Sequence, residues 1–286
     1  MIIVKVTGGL GNQMFQYALY RVFKNNGIKA KLDINSFDRI VQHNGYEIER
    51  VFNLKADLAT DYEIEKYQDN NMDILNKIIR KIGLRKIYFA ETDFKYYPEI
   101  MKLKKGYLNG YWQSEKYLNS AKDIILNDYK CNFKENDVNL EVLKDIENTN
   151  SVSIHVRMGD YKSSENADRH FVIRDAKYYE RAIERIKKLV DNPKFFIFSN
   201  DIEWVKENLP LDNSVIIDWN QGKDSYKDMF LMSKCKHNII ANSSFSWWGA
   251  WLNENKDKLV IAPDRWFNNI QAPDVICDSW IKVEVD

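Results

Sequence analysis

The chain has 286 residues, of which 44% are hydrophobic, enough to bury one large core or two ordinary ones. Lysine plus arginine equals aspartate plus glutamate at 42 each, so no excess charge favours a nucleic acid or another polyanion as partner. The three cysteines, Cys131, Cys235 and Cys277, lack the paired spacing of a zinc site, and their wide separation fits a reducing compartment.

The first half predicts few regular elements. Apolar runs and glycine positions predict a strand over residues 2–6, a helix over about 13–25 that Gly27 ends, and strands over 31–34 and 106–112. The charged stretch 47–105 between them predicts helix with a solvated surface. The apolar run at the start is too short for a signal peptide, and no later run is long enough to span a membrane. We therefore expect a cytoplasmic protein without a transmembrane segment, and leave peripheral membrane contact open.

The second half alternates strands and helices more regularly. The polar stretch 129–150 predicts a linker, so we expect domains at 1–148 and 149–286. The predicted strands and helices follow in chain order: strand 152–157, helix 176–189, strand 195–198, helix 203–208, strand 215–217, helix 228–233, strand 238–241, helix from about 246, and strand 259–261. Apolar strands separated by helices predict a parallel sheet that is covered on both faces.

One strand carries two side chains suited to chemistry. In residues 151–158, apolar and polar residues alternate, so His155 and Arg157 share a face opposite the apolar Met158. Gly159 and Asp160 break the strand, which places His155 and Arg157 at the carboxyl end, where open α/β sheets bind ligands. Arg157 suits a phosphate because its planar fork donates paired hydrogen bonds. The alternative is structural: Arg157 pairs with a carboxylate and His155 is a satisfied buried histidine.

A second segment predicts an anion site. After the strand 238–241, the turn Asn242-Ser243-Ser244-Phe245-Ser246 leads into a helix, so its hydroxyls and N–H groups lie at a helix amino end. Ser244 or Ser246 can instead simply cap this helix, and we interpret the tryptophans that follow, at 247, 248 and 251, as core residues.

Four segments together resemble a known family. They are Gly8-Gly9-Leu10-Gly11-Asn12-Gln13-Met14-Phe15-Gln16-Tyr17-Ala18, Gly110-Tyr111-Trp112-Gln113-Ser114-Glu115-Lys116-Tyr117, His155-Val156-Arg157-Met158-Gly159-Asp160-Tyr161, and Asn242-Ser243-Ser244-Phe245-Ser246-Trp247-Trp248-Gly249-Ala250-Trp251. In this order they resemble the bacterial α-1,2-fucosyltransferases of glycosyltransferase family 11. The resemblance implies an α/β fold of the GT-B type, with two facing Rossmann-like domains, and inverting transfer of L-fucose from GDP-β-L-fucose to the 2-hydroxyl of a terminal β-galactose in an O-antigen-like glycan.

The resemblance also implies donor-binding residues. Arg157 matches the arginine that binds the diphosphate, and His155 and Asp228 match contacts to the guanine nucleotide. Ser243 and Ser244 match a second phosphate contact, to which the backbone N–H of Phe245 contributes, and Gly11 and Asn12 belong to the donor-binding opening loop. Many members of that family have a second arginine where this chain has Met158. Because Met158 lies on the opposite, apolar face, we expect this difference to alter packing or the rim of the site more than the diphosphate contact, with weaker donor affinity as the further possibility.

The acceptor side and the general base are less well specified. On the amino-terminal domain, Gln13 can hydrogen-bond a sugar hydroxyl, and Tyr111 and Trp112 can form an apolar platform for a sugar ring, although such aromatics often lie in a core. Asp160 is the candidate general base, with capping of the turn as its alternative role. No pair of aspartates beside the donor motifs has the spacing of a divalent-metal site, so we expect activity without a metal or other cofactor.

Two alternatives remain open. Within enzymes, the chain can use another GDP-sugar or form another fucose linkage, because guanine and diphosphate contacts do not identify fucose. In a different class, a non-catalytic carbohydrate-binding protein would need the aromatic platform alone. A nicotinamide dehydrogenase is disfavoured, because Met14 stands where the third glycine of that fingerprint belongs, although Asp33 follows at a suitable distance.

Overall fold

The computed structural model describes residues 1–39, 44–68, 87–131, 133, 137–158 and 172–285. The chain forms two compact units. The first comprises Met1–Lys130 with Pro273–Val275, and the second comprises Cys131–Ala272 with Ile276–Asp286.

The first unit contains a four-stranded parallel sheet in the order β2-β1-β4-β3. Its strands are β1 (Ile2–Lys5), β2 (Ala30–Asp33), β3 (Tyr88–Ala90) and β4 (Gly106–Asn109). Its helices are α1 (Leu10–Asn25), α2 (Ser36–Arg39), α3 (Ile48–Phe52), α4 (Asp61–Gln68) and α5 (Lys122–Asp128), with short 3-10 turns at Ile100–Lys102, Glu115–Tyr117 and Asn119–Ala121.

Helix α1 is the main support of this sheet. Twelve of its sixteen residues are buried, including the whole apolar stripe from Met14 to Phe23. It begins three residues before the predicted start at residue 13. It ends as predicted, because Gly27 adopts a φ of +72° and its N–H bonds the carbonyl of Lys24 at 3.0 Å.

The second unit contains a six-stranded parallel sheet in the order β10-β9-β8-β5-β6-β7. Its strands are β5 (Ser151–Val156), β6 (Lys194–Ser199), β7 (Ser214–Ile217), β8 (His237–Ile239), β9 (Val260–Pro263) and β10 (Ile281–Val283). Its helices are α6 (Asn139–Asn148), α7 (Lys177–Lys187), α8 (Ile202–Asn208), α9 (Tyr226–Lys234) and α10 (Ser244–Trp251), with a 3-10 turn at Gly222–Asp224.

The predicted α/β class, with two units that are each built on a parallel sheet, is confirmed. The predicted strands of the second half are found within three residues at each end. The edge strand β10 was not predicted, because it has only three residues and Lys282 interrupts its apolar pattern. The central strand β5 is buried at all six positions, so its two faces are both covered by helices.

The boundary between the two units lies earlier than the predicted one at residue 148. The division falls at Lys130–Cys131, within the predicted linker, and α6 therefore belongs to the second unit. The reason is that α6 packs against β5 and α9 of that unit. Among the described residues, no helix is both long and apolar enough to cross a membrane.

Candidate active site

The strand order of the second unit identifies a ligand-binding edge. From β5 the chain runs outward through β6 and β7, then returns to the other side of β5 and runs outward through β8, β9 and β10. The topological switch point therefore lies between β5 and β8, which are direct neighbours. Open α/β sheets bind ligands at the carboxyl ends of the strands at this point. The two motif-bearing segments of the sequence follow these two strands.

His155 and Arg157 lie at the carboxyl end of β5, as predicted. His155 is 5% exposed, and Arg157 directly follows the strand and is half-buried. Met158 is fully buried in the hydrophobic core of the unit, which confirms that it points to the apolar face. Family members with an arginine at this position carry a second positive charge there. In this chain the position is an uncharged core residue on the face opposite Arg157.

The turn after β8 forms the amino end of α10. Ser243 is the N-cap, and its hydroxyl accepts a 3.3 Å hydrogen bond from the backbone N–H of Phe245. That N–H, predicted to face the phosphate, is thus partly engaged by the cap. Ser244 is half-buried, whereas Ser246 is fully buried and donates to the carbonyls of Ala241 and Ser243 at 3.3 Å. Capping therefore falls to Ser243 rather than to Ser244 or Ser246.

One aromatic contact joins the two segments. The ring of His155 lies 5.7 Å from that of Phe245, measured between centroids, at an interplanar angle of 40°. The strand β5 and the turn before α10 are therefore adjacent through side chains as well as through the sheet. The tryptophans of α10 are buried, 7% exposed at most, which confirms them as core residues.

Asp228 lies in the first turn of α9. Burial raises the pKa of its carboxyl to about 7, and a hydrogen bond from Asn220 Nδ2 to Oδ1, 2.8 Å long, opposes this effect. A carboxyl with such a pKa gains or loses its proton near neutral pH. Groups of this kind occur at functional sites more often than on ordinary surfaces.

On the first unit, Gln13 holds the glycine loop together. Its side chain is fully buried, its Nε2 donates to the carbonyls of Gly8 and Gly45 at 2.9 and 2.8 Å, and its Oε1 accepts from the N–H of Glu47 at 2.8 Å. Both donors and the acceptor are therefore used inside the fold. This corrects the predicted contact of Gln13 with the acceptor. In the sequence, a polar amide in a glycine loop looks the same whether it binds a ligand or the backbone of the fold.

Asn12 remains available on the same loop. It is half-buried, and its Oδ1 accepts a 2.7 Å hydrogen bond from Gln113 Nε2, which joins the loop after β1 to the segment after β4. Gly11 is buried in the first turn of α1. Gly8, with a φ of +81°, has no room for a side chain, because a Cβ there would lie 2.7 Å from Asn12 Nδ2.

The two aromatic residues after β4 differ in exposure. Trp112 is 1% exposed and packs edge-on against Tyr117, so it cannot serve as the predicted sugar platform. Tyr111 is half-buried and stacks on Phe94 with a centroid distance of 6.1 Å. Only Tyr111 keeps an accessible face, and Trp112 is a core residue, the alternative that the sequence left open.

Glu91 is a buried carboxyl that the sequence did not single out. It follows β3, and its oxygens accept hydrogen bonds from the N–H groups of Tyr111 at 2.7 Å and Trp112 at 3.2 Å. Burial raises its pKa to about 7, opposed by these two hydrogen bonds. Its sequence context was an uninformative charged stretch, so only the pairing of β3 with β4 reveals this role.

The chain is similar to known proteins over almost its whole length. The family model described as Glycosyl transferase family 11 matches residues 1–284 of the chain. The chain belongs to glycosyltransferase family 11. It is 32% identical to the Escherichia coli O-antigen biosynthesis glycosyltransferase WbnK, over 97% of this chain and 99% of that protein. It is also 32% identical to an Escherichia coli alpha-1,2-colitosyltransferase, over 99% of each chain.

More distant relatives of this family 11 protein include human galactoside alpha-(1,2)-fucosyltransferase 1, which is 28% identical over 47% of this chain and 39% of that protein. A solved structure of Arabidopsis thaliana FUT1, a point mutant in complex with GDP, aligns with 92% of this chain and 70% of that one at a TM-score of 0.49 and 10% identity.

Three further hypotheses for this family 11 protein concern a general base, a metal ion and a dinucleotide. Asp160 lies outside the described residues. Among the residues that the structure describes, no group of three or more His, Cys, Asp or Glu side chains could hold a metal ion, and metal independence stays a prediction. Asp33 accepts a 2.5 Å hydrogen bond from the hydroxyl of Tyr107, and Met14 is fully buried, so neither is arranged for a dinucleotide.

Proposed function

We propose that the chain is an inverting α-1,2-fucosyltransferase. It moves L-fucose from GDP-β-L-fucose to the 2-hydroxyl of a terminal β-galactose in a bacterial oligosaccharide or polysaccharide. The second unit binds the donor and the first unit supplies acceptor contacts. The reaction needs no metal ion or other cofactor.

One observation carries this proposal. The two segments that the family resemblance assigns to the donor follow β5 and β8, the two strands on either side of the switch point, and their rings touch through His155 and Phe245. Residues far apart in sequence thus meet at the edge where such sheets bind ligands. Family membership over residues 1–284 is consistent with both units taking part.

Charge neutralisation is the main chemical task at this edge. When the bond between fucose and GDP breaks, negative charge grows on the leaving diphosphate while the sugar becomes cationic. Arg157 donates charge-assisted hydrogen bonds to the diphosphate, and the positive end of the α10 dipole favours the same charge. Both interactions strengthen as the charge develops, so they lower the barrier rather than only binding the donor.

The acceptor hydroxyl attacks the anomeric carbon from the face opposite GDP and yields an α-fucoside. A general base takes the proton of this hydroxyl. Asp160 stays our candidate for that base. Of the first-unit residues predicted to contact a ligand, Asn12 and Tyr111 are partly exposed, and we keep these two as the proposed contacts there.

The closest competing function uses another GDP-sugar. One relative is named for colitose and others for fucose, and guanine and phosphate contacts do not separate these donors. Another fucose linkage is the second competitor. A non-catalytic carbohydrate-binding protein remains the candidate from a different class.

The test is a transfer assay with the purified protein in the presence of a chelator. GDP-fucose or GDP-mannose is offered with β-galactosyl and non-galactosyl acceptors, and the mass and linkage of the product are read. We expect a 2-linked fucosyl-galactose. Transfer from another GDP-sugar would show that the donor is not GDP-fucose. If GDP stabilises the protein but no acceptor yields a product, the acceptor assignment would be overturned. Loss of activity in chelator that a divalent cation restores would overturn metal independence.

A further inference from the structure

Among the described residues, one side chain donates a hydrogen bond to the carboxylate of Asp228. Asn220 Nδ2 donates to Oδ1 at 2.8 Å, and the described residues offer Oδ2 no hydrogen-bond donor. Asp228 is only partly exposed, and its Oδ2 is open to water or to a ligand that offers a donor. The side chain that determines how this carboxylate is turned is therefore Asn220.

Asn220 is itself locked by a second buried amide. Asn220 Oδ1 accepts from Asn139 Nδ2 at 2.9 Å, and Asn220 Nδ2 donates to Asn139 Oδ1 at 2.9 Å, so the two amides bond reciprocally. Asn220 is 8% exposed and Asn139 is fully buried. Because its oxygen is committed to Asn139, Asn220 can present only its NH₂ group to Asp228.

Neighbouring groups fix the orientation of Asn139 as well. The indole N–H of Trp219 donates to Asn139 Oδ1 at 2.9 Å, and Asn139 Nδ2 also donates to Asp137 Oδ1 at 2.7 Å. Asp137 is held in turn by Lys227 Nζ at 2.8 Å. A flip of either amide would bring oxygen against oxygen, so the network has one arrangement.

We propose that Asn220, locked by Asn139, is a positioning residue that turns the Asp228 carboxylate toward the two adjacent donors of a guanine base and thereby sets selectivity for guanine nucleotides. The donors are N1–H and the exocyclic 2-amino group, which a carboxylate can accept with both oxygens. This inference rests on the proposed function, because it requires that Asp228 binds the nucleotide base.

The competing explanation is purely structural: the amide pair only joins α6, the loop after β7 and α9. Under that explanation, removing Asn220 lowers stability and weakens all nucleotides alike. Under our proposal, removing Asn220 lowers the affinity for GDP, which offers both donors, more than the affinity for a nucleotide that offers one. Inosine diphosphate differs from GDP only by lacking the 2-amino group, so the ratio of the two affinities separates the explanations.

The experiment measures GDP and IDP binding by calorimetry at pH 8 for the full chain and for Asn220→Ala, which removes the donor without adding a charge beside Asp228. We expect wild type to prefer GDP by about tenfold, the scale of one hydrogen bond to a charged group, and the variant to bind both nucleotides almost equally. Asn139→Ala removes the lock one amide further away and is measured in the same way if Asn220→Ala does not fold.

Asn253→Ala is the matched control. Asn253 is also a buried amide of the second unit, bonded to Asn238 Oδ1 and the carbonyl of Cys235, with no bond to Asp228. It should lose stability but keep the GDP preference. An unchanged GDP preference in a folded Asn220→Ala or Asn139→Ala variant would overturn the positioning role. If wild type binds no GDP, or binds GDP and IDP equally, the nucleotide assignment of Asp228 fails first.

Discussion

Arg157 shows how one residue gains its role from its place in a strand. It follows β5 immediately, so its side chain leaves the sheet at the carboxyl edge while Met158 turns into the core. The strand period alone gives this division between the two faces. The charge of the site at this point therefore depends on a single side chain of the motif.

We predict that Arg157→Ala lowers kcat about a hundredfold to a thousandfold, because one preorganised donor to the leaving group is lost. Arg157→Lys should recover only part of the rate, since an ammonium cannot form the paired hydrogen bonds of a guanidinium. Steady-state kinetics with GDP-fucose measures both. If the wild-type protein transfers no sugar, and the Arg157→Ala variant still binds glycan, the result would instead support a carbohydrate-binding protein.

Asp228 is the residue whose protonation matters near neutral pH. Burial raises its pKa to about 7. Lys227, its neighbour in the chain, is paired with Asp137 at 2.8 Å and with Asp224 at 3.6 Å. We predict that GDP affinity falls as the pH drops below about 7, because the protonated carboxyl cannot accept two donors. Titration calorimetry from mildly acidic to mildly alkaline pH checks this. Asp228→Asn should bind weakly at every pH, and an equally steep pH profile in that variant would contradict the prediction.

The same carboxyl has a cost for stability. Its pKa is 3.8 in the unfolded chain and about 7 in the fold, so folding stability falls as the pH rises between these values and stays reduced above them. At 1.36 kcal/mol per pKa unit, the cost above pH 7 is about 4 kcal/mol.

At the scale of elements, α9 and α10 must approach closely to place Asp228 and the Ser243 turn on one edge. Gly249 permits this approach, because a Cβ there would lie 2.9 Å from Met232 Cβ on α9. Both helices are otherwise rich in large buried side chains. The absence of a side chain at Gly249 thus allows the two helices to lie this close.

We therefore predict that Gly249→Ala destabilises the protein by about 1–3 kcal/mol, despite the better helix propensity of alanine, because the helices must move apart. Urea unfolding provides the measurement. Glu207→Ala, at an exposed position of α8, should change stability little and serves as control. A Gly249→Ala variant as stable as wild type would show that the helices separate without cost.

Sequence patterns were most reliable for elements with strong periodicity. Strand β5 and helices α1 and α7 were predicted closely because each carries an apolar pattern of its own. Strand β10 has no such pattern and gains its structure only by pairing with β9. The roles of Gln13 and Trp112 were misassigned for a related reason, since a polar or aromatic side chain looks the same in sequence whether it binds a ligand or another part of the fold.

At the scale of the whole molecule, the chain returns to the first unit after building most of the second. The segment Pro273–Val275 belongs to the first unit, where Asp274 accepts hydrogen bonds from Lys116 Nζ at 2.5 Å and from the N–H of Tyr96 at 2.8 Å. Burial opposes ionisation of Asp274, but these two hydrogen bonds outweigh it and lower its pKa. A carboxylate 158 residues beyond Lys116 in sequence thus stabilises the unit that contains that lysine.

We predict that Asp274→Ala accelerates hydrogen exchange at the Tyr96 amide at neutral pH. Because the pKa is lowered in the fold, the stabilisation is present above the unfolded value of 3.8 and is lost as the pH falls through the folded value. The difference between the variant and wild type should therefore disappear in acid. Glu99→Gln, an exposed neighbour, should leave this exchange unchanged.

The sequence by itself determined the α/β class, the positions of most strands along the chain, the placement of His155 and Arg157 at a strand end, and the family resemblance. These properties follow from local periodicity and from motifs that are contiguous in the chain. Only the tertiary structure decided which polar groups remain open to a ligand. Gln13 became a structural link, Trp112 a core residue, Glu91 a buried carboxyl, and Asn139 and Asn220 a locked pair, because each depends on partners distant in sequence that only folding brings within hydrogen-bond distance.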